Sequence, residues 1–259
     1  MSQRTVQECR QRLGRAEGAE LAALIDTYAS DERHTVRAAV AAATRRLERE
    51  RAEHNRLSRL SELEDSLRAR GLTYIAGVDE VGRGALAGPV TAAAVILRPG
   101  AHIEELDDSK RLTPAKRLRV SEQVRGTALA FGVAHVPAHV IDGLGMTVAV
   151  RTAMIRALAL LEPAPDHVIT DGLRVGLPMA ETPVVKGDAK VAAVAAASVL
   201  AKVVRDGLMA GYEESYPGWD FSVNKGYGTA RHLEAISQLG LSPVHRRSFA
   251  PCCEGYTLF

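Results

Sequence analysis

Residues 74–97 read YIAGVDEVGRGALAGPVTAAAVIL. Tyr74 to Val78 and Pro89 to Leu97 are apolar runs rich in β-branched residues, bounded by glycine and proline, and the spacing predicts two strands. The loop between them, EVGRGALAG, is too short for a crossover, so the pair is antiparallel. Asp79 and Glu80 stand where the first strand gives way to glycine. Consecutive strand residues point to opposite faces, so both carboxylates serve one site only where the pleat breaks, and Gly82 and Gly84 supply that freedom. Such a pair is otherwise more often a strand ending in two solvated acids.

Outward from this hairpin the chain divides in character. Residues 1–70 read as helices: Thr5 and Glu8 have capping-box spacing, and Leu13, Leu21, Leu24 and Ile25 form an apolar stripe. RRLERERAEHNR places arginine and glutamate three and four apart, as on a solvated helix face, and Leu57, Leu60, Leu63 and Leu67 continue at helical spacing. Arg70-Gly71 marks the boundary, at a helix C-cap glycine. Beyond it strands and helices alternate. Thr113 caps a helix with Pro114 at its first position, running to Val124. Leu129 to Val136 is a third strand, Thr147 to Leu161 a helix, Val168 to Asp171 a buried strand, and Ala189 to Met209 a long alanine-rich helix. The expected class is α/β, a mixed sheet covered by helices, with a helical N-terminal appendage (1–70) on a larger domain (71–259).

Composition narrows the function. A chain of 259 residues with 46% hydrophobic and 25% charged residues buries an ordinary globular core. Its apolar stretches, such as Val191 to Ala201, fall short of a bilayer span, and the polar start MSQRTVQECRQRLGRAEG lacks a secretory core, so a cytoplasmic location is expected. Three cysteines, with Cys9 far from Cys252 and Cys253, read as free thiols. With 33 basic and 31 acidic residues, a polyanionic partner must be gripped by local clusters.

Two further acids share the setting of Asp79 and Glu80. Asp171 follows the apolar run HVIT, and Asp188, in KGDAK, precedes the alanine-rich helix, where on its own it reads best as a cap. Four acids at loop or strand ends repel unless something positive sits among them, and oxygen donors without Cys or His suit Mg²⁺ or Mn²⁺. Around them lie groups suited to a phosphodiester. Arg83 is flanked by glycines, Lys110 follows Asp108-Ser109, and Lys186, Lys190, Lys202, Lys225 and Arg246-Arg247 offer positive charge, each more often a solvated surface residue. Tyr227, in NKGYGT, permits stacking on a sugar or base, or simple packing. His232 and His245 have no partner identifiable from sequence and read as structural.

These residues lie in five ordered blocks: GVDEVGRGALAGPVTAAAVIL, DDSKRLTPAKR, ITDG, KGDAKVAAVAAASVLAKVVRD, and YPGWDFSVNKGYGTARHLEAI followed by HRRSFAP. From about Thr73 to Pro251 the chain closely resembles bacterial ribonuclease HII. The resemblance implies an RNase H-like fold and places Asp79, Glu80, Asp171 and Asp188 on the family's four metal-site carboxylates. It implies Mg²⁺- or Mn²⁺-dependent cleavage of RNA in RNA–DNA hybrids, and cutting 5′ of a ribonucleotide embedded in duplex DNA to leave a 3′-hydroxyl and a 5′-phosphate. It further implies that Gly82, Arg83 and Gly84 contact the 2′-hydroxyl at the RNA–DNA junction, that Tyr227 stacks on the following deoxyribose, and that Lys110 contacts phosphate. Ser198 and Lys202 would support the site from their helix. A monomer is expected. The terminal GYTLF does not clearly match a sliding-clamp motif, so clamp recruitment is unsupported. Two alternatives stand beside this reading. A ribonuclease HIII-like nuclease is disfavoured by arginine at position 83 and by a helical N-terminal region. A non-catalytic hybrid binder is disfavoured because concentrated negative charge facing a polyanion serves no inert binder.

Overall fold

The computed structural model describes residues 5–172 and 174–253. The GYTLF terminus therefore lies outside the described residues. The chain divides into two compact units, Met1–Ser58 and Arg59–Phe259.

The first unit is helical. Helix α1 (Val6–Arg15) starts at the anticipated capping box: the Glu8 amide donates to Thr5 Oγ1 at 3.2 Å and the Thr5 amide to Glu8 Oε2 at 2.8 Å. Helix α2 (Gly18–Tyr28) follows, then the long α3 (His34–Ala69), within which the division between the units falls. Leu13, Leu21 and Leu24 are buried with Cys9, Tyr28, Val36, Ala43 and Leu47, so the anticipated stripe forms this unit's core. Arg46 donates to the carbonyls of Leu13, Gly14 and Ala16, satisfying acceptors that the end of α1 leaves open.

The second unit is built on a five-stranded sheet in the order β3-β2-β1-β4-β5. Strands β1 (Ile75–Val81), β2 (Val90–Leu97) and β3 (Ala128–Val136) are antiparallel neighbours. Strands β4 (His167–Asp171) and β5 (Glu181–Val184) run parallel to β1 on its other side. The connections are α4 (Pro114–Thr127), capped by Thr113 with proline in its first turn, α5 (Ala138–Leu144) and α6 (Met146–Leu158). The remainder comprises a 3-10 turn (Gly187–Ala189), α7 (Ala192–Ser215), α8 (Phe221–Asn224) and α9 (Ala230–Leu239). Among the described residues no helix is long and apolar enough to cross a membrane.

One face of the sheet packs Ala76, Val78, Ala92, Ala94 and Ile96 against Ala149, Val150, Ala153 and Met154 of α6. On the other, Ile75 and Ile169 meet Val191 and Val194. Alanine at 192, 193, 195, 196 and 197 lets α7 lie close to the strands, most of all at Gly77, where a Cβ would run into the backbone of Ala193 and Val194. Three local readings change. Strand β1 continues through Asp79 and Glu80 to Val81, still paired with β2, and the chain turns only at Gly82, whose φ is +91°. The segment after β3 contains α5 as well as the anticipated helix. The long helix begins at Ala192, and Asp188 lies in the preceding 3-10 turn; the N-cap of α7 is Val191, which has no side-chain cap hydrogen bond.

An acid does approach that helix start from elsewhere. Glu64 on α3 is 1% exposed, and its Oε2 has no hydrogen-bond partner among the described residues. Burial drives its carboxyl up to about 7, opposed by Arg68 and by the amides of Ala193 and Ala192.

Two outcomes are expected. Gly77→Ala should lower stability by about 1–3 kcal/mol or more, because the obstructing atoms are backbone and cannot rotate away; urea unfolding measures it. A carboxyl whose folded pKa is raised supports the fold fully below its unfolded value and loses that support as pH rises through the folded one. Going from pH 4.5 to 8, wild type should therefore lose stability relative to Glu64→Gln, by up to roughly 3 kcal/mol; parallel pH profiles of thermal unfolding would rule this out.

Candidate active site

Asp79 and Asp171 occupy neighbouring strands, each one residue beyond the last β1–β4 pair, Val78–Thr170. The pleat that sends Ile75 and Gly77 toward α7 sends Asp79 there too, where the Ser198 hydroxyl hydrogen-bonds its carboxylate. Ser198 Oγ lies 2.9 Å from Ser109 Oγ, tying β1, α7 and the DSK loop into one buried chain. The Glu80 amide donates to Asp79 Oδ1 at 2.8 Å, and the Gly187 amide to Asp171 Oδ1 at 2.6 Å, which fastens the tip of β4 to the turn that carries Asp188.

The charge of Asp171 weighs on the other three acids. Burial, then Glu80, pushes the Asp79 carboxyl well above the usual carboxylate range, and Asp171 adds to the rise. Burial also raises Glu80, with Arg83 opposing, and raises Asp188, with Asp171 adding and Lys110 opposing. Two cations stand at the rim: Arg83 Nη1 is 3.2 Å from Glu80 Oε1, and Lys110 Nζ is 3.2 Å from Asp188 Oδ2. Their side chains are 61% and 76% exposed, so both pairs are weakly held and free to turn toward a bound anion. Among the described residues no three His, Cys, Asp or Glu side chains are gathered closely enough to form a metal-ion group. The donor chemistry still fits a hard divalent cation: all four groups are carboxylates, and three resist ionisation in a way that a dication would relieve.

Beside the acids, the GRG turn is set from beneath by two buried arginines. Arg205 of α7 is fully buried and donates through Nε to Pro89 O at 2.9 Å, through Nη1 to Lys225 O at 2.9 Å and through Nη2 to Ala87 O at 3.1 Å. Arg246, also fully buried, donates to Gly88 O at 3.0 Å and Arg83 O at 2.9 Å. The Arg205 guanidinium fills the space that a Cβ at Gly82 would need. Leu86 donates its amide to Gly226 O at 2.7 Å, and Gly88 to Val244 O at 2.8 Å. Tyr227, half-buried in the adjoining loop, has Lys202 Nζ 5.7 Å and Arg205 Cζ 5.5 Å from its ring centre.

Asp79, Glu80, Asp171, Asp188, Arg83, Lys110 and Tyr227 thus fall on one end of the sheet and the loops beside it. Ser198 hydrogen-bonds Asp79, and Lys202 reaches the aromatic loop while pairing with Asp206 at 2.8 Å. Arg246 departs from the reading as a surface cation. It is core, and its guanidinium braces a loop. Arg205 was not anticipated as a functional residue. Its signal is present nonetheless, because Ala201, Arg205 and Met209 share one buried stripe at i, i+4 spacing, an unusual place for arginine. Arg117 is a second omission: it holds the DSK loop by donating to Ser109 O and Leu112 O, both at 2.9 Å.

Comparison with known proteins places the chain in a family. The profile of the family Ribonuclease HII matches residues 76–252, and that of the Ribonuclease HII N-terminal domain matches residues 5–68. Among solved structures, the ribonuclease H2 of Pyrococcus horikoshii OT3 aligns with a TM-score of 0.60 at 26% identity, over 70% of this chain and 95% of that one. The ribonuclease HII of Archaeoglobus fulgidus, solved in complex with PCNA, aligns with a TM-score of 0.56 at 22% identity, over 67% and 94%. A substituted form of Bst ribonuclease HIII shares the fold as well, with a TM-score of 0.54 at 22% identity over 71% and 70%. The chain belongs to the ribonuclease HII family and is an endonuclease of the ribonuclease H type.

Proposed function

We propose that this enzyme cuts RNA–DNA hybrids and also incises duplex DNA 5′ of a single embedded ribonucleotide, the opening step of ribonucleotide excision, leaving a 3′-hydroxyl and a 5′-phosphate. Residues 71–259 form the nuclease domain in this reading, and residues 1–70 a helical extension. What supports it is that Asp79, Glu80 and Asp188 all lie within electrostatic reach of Asp171, beside a glycine-flanked arginine turn and an aromatic loop.

Asp79, Glu80, Asp171 and Asp188 would hold Mg²⁺ or Mn²⁺. When bound, the metal supplies Lewis-acid activation of a water and charge stabilisation at the scissile phosphate. Everything else falls to the protein. Gly84 is exposed with open space around its Cα, so the turn's backbone can approach a ribose closely, and its 2′-hydroxyl is the group that separates RNA from DNA. Arg83 can leave Glu80 for a substrate oxygen, and Lys110 can leave Asp188 for a phosphate. Tyr227 offers its ring to the next sugar, and a deoxyribose packs there without burying a hydroxyl. Every hydrogen bond described for Arg205 and Arg246 ends on a backbone carbonyl, so both charges lie under this surface without a paired acid and favour a polyanion above it.

The hydrolysis needs no protein nucleophile. The enzyme acts as a monomer in the cytoplasm in this account. Arginine at position 83 and the match of residues 5–68 to the ribonuclease HII N-terminal domain favour this specificity over that of ribonuclease HIII.

Incubation with a duplex carrying one ribonucleotide should give, with Mg²⁺ or Mn²⁺, a single cut immediately 5′ of the ribonucleotide, and none with chelator. Asp79→Asn should reduce cleavage by about 10³-fold or more while leaving most hybrid binding in place. Cleavage at the wild-type rate by that variant, or a cut indifferent to chelator, would refute the assignment.

A further inference from the structure

Behind Tyr227 lie two imidazoles that the chemistry above does not use. His232 of α9 and His245 are 0% and 2% exposed, with their Nε2 atoms 3.1 Å apart. His232 Nδ1 is 2.9 Å from Tyr227 O, an acceptor that the Thr229 amide also serves at 2.8 Å. His245 Nδ1 is 2.9 Å from the Ser242 amide and 2.8 Å from Ser242 Oγ.

The two ends fix every proton between them. A carbonyl only accepts, so His232 carries its proton on Nδ1 and offers the Nε2 lone pair. A backbone N–H only donates, so His245 accepts at Nδ1 and carries its proton on Nε2, pointing at His232. One arrangement of neutral rings satisfies all four nitrogens. Protonating His232 would set two N–H groups against each other, and protonating His245 would set one against the Ser242 amide. The aromatic surroundings agree: Phe221 stands edge-on to His232 with 5.5 Å between centres and Trp219 lies 6.0 Å from His245, while Asp220, the charged group that His232 feels, opposes by favouring the protonated ring and is outweighed by burial. Burial holds both imidazoles below the ordinary value, His245 at about 4 with His232 adding to the effect.

This relay joins two parts of the site. The backbone of His245 bridges Ala87, three residues past the GRG turn, while its ring reaches Tyr227 through His232. We infer that the His232–His245 relay fixes the spacing between the GRG turn and Tyr227, and so sets the preference for a ribonucleotide followed by a deoxyribonucleotide. The inference rests on the proposed junction reading by Arg83 and Tyr227. His232 and His245 are positioning residues that meet neither substrate nor metal.

The test compares kcat/KM on a duplex with one embedded ribonucleotide against a continuous RNA–DNA hybrid. His245→Leu should lower that ratio by about tenfold, mostly through KM, since the His232 acceptor loses its donor and the Tyr227 carbonyl its fixed partner. His245→Gln, whose amide N–H reaches the same place, should restore the ratio to within about twofold. Tyr227→Ala separates the two claims. An unchanged ratio in Tyr227→Ala overturns the junction reading itself. A lowered ratio there with an unchanged one in His245→Leu, or an equal loss on both substrates, overturns the relay. Should His245→Leu fail to fold, ¹⁵N imidazole spectra of the wild type decide: neutral rings protonated at His232 Nδ1 and His245 Nε2 are expected, and the opposite tautomers or a charged ring at pH 7 would overturn it.

Discussion

Like charge held out of water is the condition to which the nuclease unit is shaped. Asp79 is buried, with Glu80 next to it in the strand and Asp171 on the neighbouring strand; both disfavour its ionisation, and Asp171 disfavours that of Glu80. A flexible scaffold would let such groups drift apart into solvent. Here β1 is hydrogen-bonded on both sides, by β2 and β4, and α7 is pressed onto it at Gly77, so Asp79 cannot retreat. The cations that moderate the repulsion, Arg83 and Lys110, are largely exposed, and those contacts can be exchanged for substrate oxygens at little cost.

The loops face a different difficulty. They carry backbone carbonyls into a buried layer with no strand to receive them, and unpaired buried carbonyls are costly. Arg205 and Arg246 answer this by donating to Arg83 O, Ala87 O, Gly88 O, Pro89 O and Lys225 O between them. A guanidinium has five donors in a fixed fork, so it holds several carbonyls at a set separation where lysine would hold one. The same two side chains that satisfy the loops therefore also fix their shape, and leave positive charge beneath the surface on which a nucleic acid would lie. The histidine relay extends this bracing from the GRG turn to Tyr227.

Much of this was legible in the sequence, for identifiable reasons. The hairpin around GRG announced itself through two apolar runs and a short glycine-rich link, and the capping box at Thr5 and the proline after Thr113 marked helix starts that the structure keeps. Asp188 was harder. A capping residue and a site carboxylate look alike before a helix, and only the resemblance to known proteins separated them. The strand boundary near Asp79 was misplaced because glycine after two acids signals a turn, whereas continued pairing with β2 keeps the strand going. Arg205, Arg246 and the two histidines escaped for another reason. Their roles depend on which groups meet across a fold, and partners such as Ala87 and Arg205, or Ala87 and His245, have no fixed spacing along a chain.

The central claim is that the four carboxylates together retain a divalent cation. Mn²⁺ binding followed by electron paramagnetic resonance on wild type and on Asp79→Asn, Asp171→Asn and Asp188→Asn tests it without reference to turnover. The account requires bound Mn²⁺ in the wild type and a marked weakening in each single variant. Equal Mn²⁺ uptake by all four proteins, or none by the wild type even with an uncleavable hybrid present, would contradict it.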